Sequence, residues 1–156
     1  WMYDGSGLAV TNKLSTAFVA DLLIYMKTCS QQHTAFYESL PVAGVEGSVR
    51  NFLKGSSLQG KAHLKSGSMS RVKGYAGYIN KGDKQYAIAL FVNNYSCDGR
   101  PMTVAIEKLL LQLFNYPAVI SAGSIYALSS LGNAVYNCRR SGYTPFQRQS
   151  DSARSP

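Results

Sequence analysis

The sequence is poor in the residues that build metal and redox centres. Of its 156 residues only three are cysteine (Cys29, Cys97 and Cys138) and two are histidine (His33 and His63). The cysteines lie far apart and no Cys-x-x-Cys pair occurs, which argues against a zinc site. An odd count also leaves at least one thiol unpaired within the chain. The two isolated histidines read as surface or packing residues rather than ligands. No run of about 18 apolar residues is present, so no membrane span is expected. Acidic residues are scarce as well, eight against sixteen basic ones, for a formal net charge of +8. That balance invites a nucleic-acid reading. The basic residues are scattered, however, with no basic helix or aromatic–basic stripe, so solubility or general attraction to polyanionic surfaces fits them better. The chain opens on Trp1 rather than Met, which points to processing or to a piece of a longer protein. No charged n-region followed by an apolar h-region stands at its start.

What is present suits a globular domain with a real core: 46% hydrophobic and 15% charged residues. Leu14, Phe18, Leu22 and Met26 recur every four residues. With Val19 and Leu23 they make an apolar stripe, which predicts an amphipathic helix over 15–30, capped by Ser15 or Thr16. A short helix over 34–40 should stop at Pro41. The segment from Pro41 to Ser48 is a loop punctuated by Gly44 and Gly47, and Ser48 is placed to cap a further short helix through Phe52 and Leu53. Residues 55–60 form another loop, rich in Gly and Ser.

Three strands follow, over 61–68, 72–80 and 84–93, the last two joined by a hairpin turn at Asn80-Lys81-Gly82-Asp83. The third is apolar on both faces, with Tyr86, Ile88, Leu90 and Val92 on one and Ala87, Ala89 and Phe91 on the other. A strand of that kind is covered on both sides, so helices are expected above and below the sheet. A last helix starts at Asp98-Gly99-Arg100-Pro101, with Pro101 in its first turn. Its stripe of Ile106, Leu109, Leu110 and Leu113 should lie on the sheet. The order of helices, antiparallel strands and helix makes the fold class α+β. After Phe114 the character changes. Residues 1–115 read as the domain, and 116–156 as an extension, disordered towards its end.

The candidate chemistry sits in Lys65-Ser66-Gly67-Ser68-Met69. This run sets an ammonium, two hydroxyls and a bare backbone side by side at the entry to the sheet, as a reactive or anion-binding edge does. Ser6, between Gly5 and Gly7, lacks the Gly-x-Ser-x-Gly spacing of an esterase elbow and reads as part of a structural turn.

Several motifs in order carry a resemblance: Asp4-Gly5-Ser6-Gly7-Leu8, then Leu40-Pro41-Val42-Ala43-Gly44-Val45-Glu46-Gly47-Ser48, then Lys65-Ser66-Gly67-Ser68-Met69-Ser70 and Ala76-Gly77-Tyr78. Over roughly residues 3–114 the chain resembles the C-terminal part of the penicillin-binding D-alanyl-D-alanine carboxypeptidase/endopeptidase family of low-molecular-mass class C. The resemblance implies the C-terminal part of a β-lactamase/transpeptidase-like α/β/α sandwich with an antiparallel sheet. It implies a parent enzyme of the periplasm or cell envelope, acting on peptidoglycan stem peptides that end in D-Ala-D-Ala, acylated by β-lactams, and needing no cofactor, metal or nucleic acid. Lys65 and Ser68 would be catalytic, with Lys65 supplying positive charge and the Ser68 N–H half of an oxyanion hole. Ser66, Gly67, Ser68 and Met69 would bind substrate.

The sequence also departs from that pattern. The family's Ser-x-x-Lys nucleophile motif and its Ser-x-Asn motif precede Lys-Ser-Gly. Ser70-Arg71-Val72-Lys73 fits the first by spacing, but it follows Lys-Ser-Gly directly and falls on a predicted loop and strand, whereas the nucleophile motif needs a helix start. No Ser-x-Asn occurs in the matched region. The expectation is therefore a C-terminal fragment with one third of a site, inactive alone. The alternatives are a non-catalytic module of the same fold that holds peptide carboxylates, or a related β-lactamase or esterase.

Overall fold

The computed structural model describes residues 2–115. The proposed extension 116–156 and Cys138 lie outside the described residues. Two helices come first, α1 (Thr16–Thr28) and α2 (His33–Ser39), then a single 3-10 turn (Gly47–Val49). Strands β1 (Ala62–Met69), β2 (Val72–Lys81) and β3 (Lys84–Asn93) follow, and helix α3 (Gly99–Asn115) closes the described chain. The strands form one antiparallel sheet in the order β1-β2-β3. The β2–β3 loop is shorter than expected: Lys81 and Lys84 still pair, leaving Gly82-Asp83 as a two-residue turn with Gly82 at φ 56°.

Side-chain alternation sorts the sheet into two faces. On one, Ala62, Leu64, Tyr75, Ile79, Tyr86, Ile88 and Leu90 pack under Ile106, Leu110 and Phe114 of α3. Full burial of a Leu or Ile side chain there contributes roughly 1.5–3 kcal/mol. Val49, Phe52, Leu53 and Leu58 extend this core beneath the connection from α2 to β1, where Phe52 stacks on Tyr75 with centroids 4.1 Å apart. The backbone N–H of Leu53 donates to Glu107 of α3 at 2.6 Å, tying that connection to the helix. On the opposite face, Ala20 and Leu23 of α1 meet Ala89, Ala87 and Tyr78. Helices thus cover both faces, as the two-sided apolar pattern of β3 requires.

Two stripes differ from expectation. Of the expected stripe in α1, Leu23 is buried and Val19 packs against the core, whereas Leu14, Phe18 and Leu22 are 41%, 52% and 46% exposed and Thr16 and Ala20 are buried in their place. The reason is distance. The sheet offers α1 small side chains, Ala76, Ala87 and Ala89, and a helix settles closely on such a surface through its own small residues. Size-weighted periodicity picks the bulky face and misses this. In α3, Leu109 points outward and Phe114 takes its place in the core. The Ser15 cap forms as expected, its hydroxyl accepting from the Phe18 N–H at 3.1 Å.

Helix α2 is fixed to the sheet by rings. Tyr37 stacks on His63 of β1 at 4.1 Å and lies 5.7 Å from Tyr78, and its hydroxyl accepts from the Asn80 side-chain amide at 2.8 Å. The Tyr78 hydroxyl donates to the Leu23 carbonyl at 2.6 Å. Burial pushes the Tyr78 pKa up to about 12, so it stays a neutral donor at physiological pH. Burial also lowers the His63 pKa below the ordinary 6.5, against the opposing pull of the Glu46 carboxylate.

Gly77 has φ 149°, and a Cβ there would stand 2.1 Å from the His63 carbonyl oxygen. Gly77→Ala should destabilise the chain by on the order of 3 kcal/mol in urea unfolding. Gly82→Ala, whose Cβ meets nothing within 4 Å, should cost about 1 kcal/mol from its left-handed backbone alone. The folded-state pKa of His63 lies below its unfolded value, so its contribution to stability is present above about pH 6.5 and is lost as pH falls through the folded value. Melting temperatures at pH 7.5 and 5.0 should therefore drop in acid, and His63→Phe, which keeps a ring against Tyr37, should flatten that drop.

Candidate functional site

β1 is an edge strand, and its outer edge is occupied only in part. The Ala43 N–H donates to the Ala62 carbonyl at 2.8 Å, and the Leu64 N–H donates to the Pro41 carbonyl at 3.0 Å. The segment after α2 thus acts as a short neighbour to the start of β1, with Val42 bridging to His63. Among the described residues no strand continues this pairing past Leu64. Peptide groups alternate in direction along an antiparallel strand. Because those of Ala62 and Leu64 face outward, those of Ser66 and Ser68 face outward too. The Lys65–Met69 stretch therefore presents the backbone groups of Ser66 and Ser68 at an open edge, and Lys65, Gly67, Ser68 and Met69 are exposed.

Alternation puts Lys65 on the α1–α2 face of the sheet and Ser66 on the α3 face. The two nevertheless meet at the edge. The Lys65 ammonium curls round to donate to the Ser66 carbonyl at 2.6 Å. On the other face, the Ser66 hydroxyl donates to that of Ser48 at 2.8 Å. Gly67 faces Gly74 across the ladder, and nothing stands within 4 Å of where a Cβ would be. That stretch of strand is bare on its α1–α2 side.

The Pro41–Ser48 and Lys65–Ser70 motifs, 18 residues apart at Ser48 and Ser66, are adjacent in the fold. Ser48 does not cap a helix as its position in sequence suggests. It lies inside the 3-10 turn, whose N-cap is Glu46, and no side-chain cap forms there. The hydrogen bond between Ser48 and Ser66 had no local signal, since it depends on how the turn docks against β1. Asp4-Gly5-Ser6-Gly7-Leu8 is held as a turn: the Ser6 hydroxyl accepts from the Leu8 N–H at 3.2 Å, and the Asn12 amide donates to the Asp4 carbonyl at 3.2 Å and carboxylate at 3.1 Å.

Ser70-Arg71-Val72-Lys73 spans the β1–β2 hairpin. Arg71 adopts φ 58° in the turn, and Lys73 on β2 donates to the Gly99 carbonyl at 3.0 Å and the Thr103 hydroxyl at 2.7 Å. No helical turn sets Ser70 and Lys73 on one side, and the Lys73 ammonium is committed to the start of α3. Cys29 and Cys97 are exposed and unpaired. No helix of the described residues is long and apolar enough to cross a membrane.

The chain has relatives among known proteins. A D-alanyl-D-alanine carboxypeptidase of an Actinomadura species is 33% identical over 118 residues, which cover 72% of this chain and 21% of that protein. Crystal structures of penicillin binding protein 4 from Haemophilus influenzae superpose with TM-scores of 0.61 and, for a complex with a β-lactam, 0.62. Identity is 25% in both cases, over 74% of this chain and 28% of the other. The chain thus spans about a fifth to a quarter of the length of these relatives, and the shared fold is the α+β transpeptidase-like one. A sequence model of the D-Ala-D-Ala carboxypeptidase 3 (S13) family matches residues 1–113, and the chain belongs to that family.

Proposed function

We propose that this chain supplies the Lys-Ser-Gly strand of a serine-type D-Ala-D-Ala carboxypeptidase/endopeptidase site of the cell envelope. Its ligand would be a peptidoglycan stem peptide ending in D-Ala-D-Ala, or a β-lactam in its place. The observation that carries this reading is the open outer edge from Lys65 to Met69, with an ammonium at it and backbone donors directed into it. An extended peptide can lie along such an edge as an added strand. Its terminal carboxylate would receive charge-assisted hydrogen bonds from the hydroxyls of Ser66 and Ser68 and the field of Lys65. Gly67 lets the peptide come close on the side where a Cβ would stand, and Met69 stands at the far end of that edge.

For the scissile carbonyl, the outward N–H of Ser68 is the donor of use. A fixed N–H aimed at a developing oxyanion stabilises the tetrahedral intermediate of acyl transfer, and removing one such donor raises the barrier by about 3 kcal/mol. Lys65 would lower the cost of negative charge in the same place. The nucleophile and its base are assigned to polypeptide other than the described residues. Ser70 with Lys73, and Ser6, lack the geometry for the role. The chain alone is then a binding edge without turnover, and the parent protein is the enzyme. The penicillin-binding and carboxypeptidase relatives, one crystallised with a β-lactam, support this choice of ligand class.

Two measurements test it. Intact mass after incubation with excess labelled penicillin should show no covalent adduct. A stoichiometric adduct, mapped to Ser70 or Ser6, would overturn the assignment of the nucleophile elsewhere. An NMR titration with a tripeptide ending in D-Ala-D-Ala should perturb the amides of residues 65–69, and Lys65→Ala should weaken binding about tenfold or more, the ordinary worth of a charged hydrogen bond.

A further inference from the structure

We propose that Ser48 is a positioning residue for ligand carboxylates: when one is bound, Ser48 donates its hydroxyl proton to Ser66 and thereby turns the Ser66 proton towards the open edge of β1. This rests on the reading of that edge as the carboxylate-binding strand. The geometry behind it is the 2.8 Å separation of the two hydroxyl oxygens. A serine hydroxyl has one proton and two lone pairs, and the proton rotates freely. In the chain without ligand Ser66 gives its proton to Ser48, and in that arrangement it has none for a ligand. If Ser48 gives its proton to Ser66, the Ser66 proton is released to point outward, at the same oxygen–oxygen distance. A carboxylate at the edge selects the second arrangement, because a hydrogen bond to an ion is about twice as strong as one between neutral groups. The two bonds then polarise each other in series.

The backbone carrying Ser48 is built to hold it there. Gly47 has φ 58°, and a Cβ on it would stand 2.7 Å from the Pro41 ring. The Gly44 N–H donates to the Val49 carbonyl at 3.0 Å, and Val49 is fully buried beside Leu64 and Phe52 in the core. At its other end the same segment hydrogen-bonds Ala62 and Leu64 of β1. The turn and the strand are thus locked in one register two residues before Ser66. Ser48 makes no helix cap, so among the described residues its hydroxyl is directed only to Ser66.

The experiment is the NMR titration of the full 156-residue chain with the tripeptide ending in D-Ala-D-Ala and with its C-terminal carboxamide. Ser48→Ala should weaken binding of the acid about two- to tenfold, Ser48→Thr should restore most of it, and neither should change binding of the amide. Equal binding of the acid by the parent chain and Ser48→Ala, with Lys65→Ala still impaired, overturns the role of Ser48 and leaves the edge assignment standing. Loss of acid and amide binding alike in Ser48→Ala, or a failure of Ser48→Thr to restore it in a variant that melts as the parent does, shows a merely structural part and also overturns it. Absence of any binding by the parent chain overturns both readings.

Discussion

The site depends on one constraint: among the described residues, β1 has a strand on one side and only three residues of partner on the other. Backbone from Pro41 to Ala43 meets the outward groups of Ala62 and Leu64 and then turns away at Gly44. Were it to continue alongside, the backbone of Ser66 and Ser68 would be used within the fold, and no extended ligand could pair there. An exposed, unpaired strand edge is ordinarily a hazard for association. Here the edge carries Lys65, glycine and two serines rather than large apolar side chains, which blunts that hazard, and the one group of it that meets a side chain is the Ser66 carbonyl, against the Lys65 ammonium.

The remainder of the fold holds that edge still. β1 is anchored from its inner side by the full ladder to β2, where Gly77 allows the two backbones to come within a distance that any Cβ would break. It is anchored from below by Leu64 in the main core and from above by the stack of His63 on Tyr37. Each anchor lies at or before Leu64, or on β2. None takes up the outer groups of Ser66 or Ser68. Rigidity and availability are therefore assigned to different residues of one strand, which is what binding without a large ordering cost requires.

The parts of this arrangement differed in how far they were legible in the sequence. β3 was legible to the residue, because a run apolar on both faces and bounded by a glycine turn and Asn93-Asn94 has few other solutions. The open edge was half legible. Lys65-Ser66-Gly67 marked the place, but strand order and the partial cover by Pro41–Ala43 are tertiary facts. The α1 face was legible in part: Leu23 and Val19 of the expected stripe do pack on the core, but periodicity weighs bulk and missed Ala20, which docks on Ala76 and Ala89. In α3 the buried residues recur every four positions, at Ile106, Leu110 and Phe114, and Leu109, one position or about 100° from Leu110, is turned outward.

Ser-x-x-Lys illustrates why spacing alone cannot carry chemistry. On a helix, three residues are nearly one turn, and a serine and lysine so placed share a side. On a strand, three residues span about 10 Å and end on the opposite face. Ser70 and Lys73 start on a hairpin and end on β2, so the same four letters separate the two groups, and the lysine serves instead as a tie to α3. The Lys-Ser-Gly run shows the converse. Alternation alone sends Lys65 and Ser66 to opposite faces, yet a four-carbon side chain is long enough to curl over the strand edge. Its ammonium reaches the Ser66 carbonyl, so the edge of the sheet, rather than either face, is where the charge, the hydroxyl and the open backbone come together.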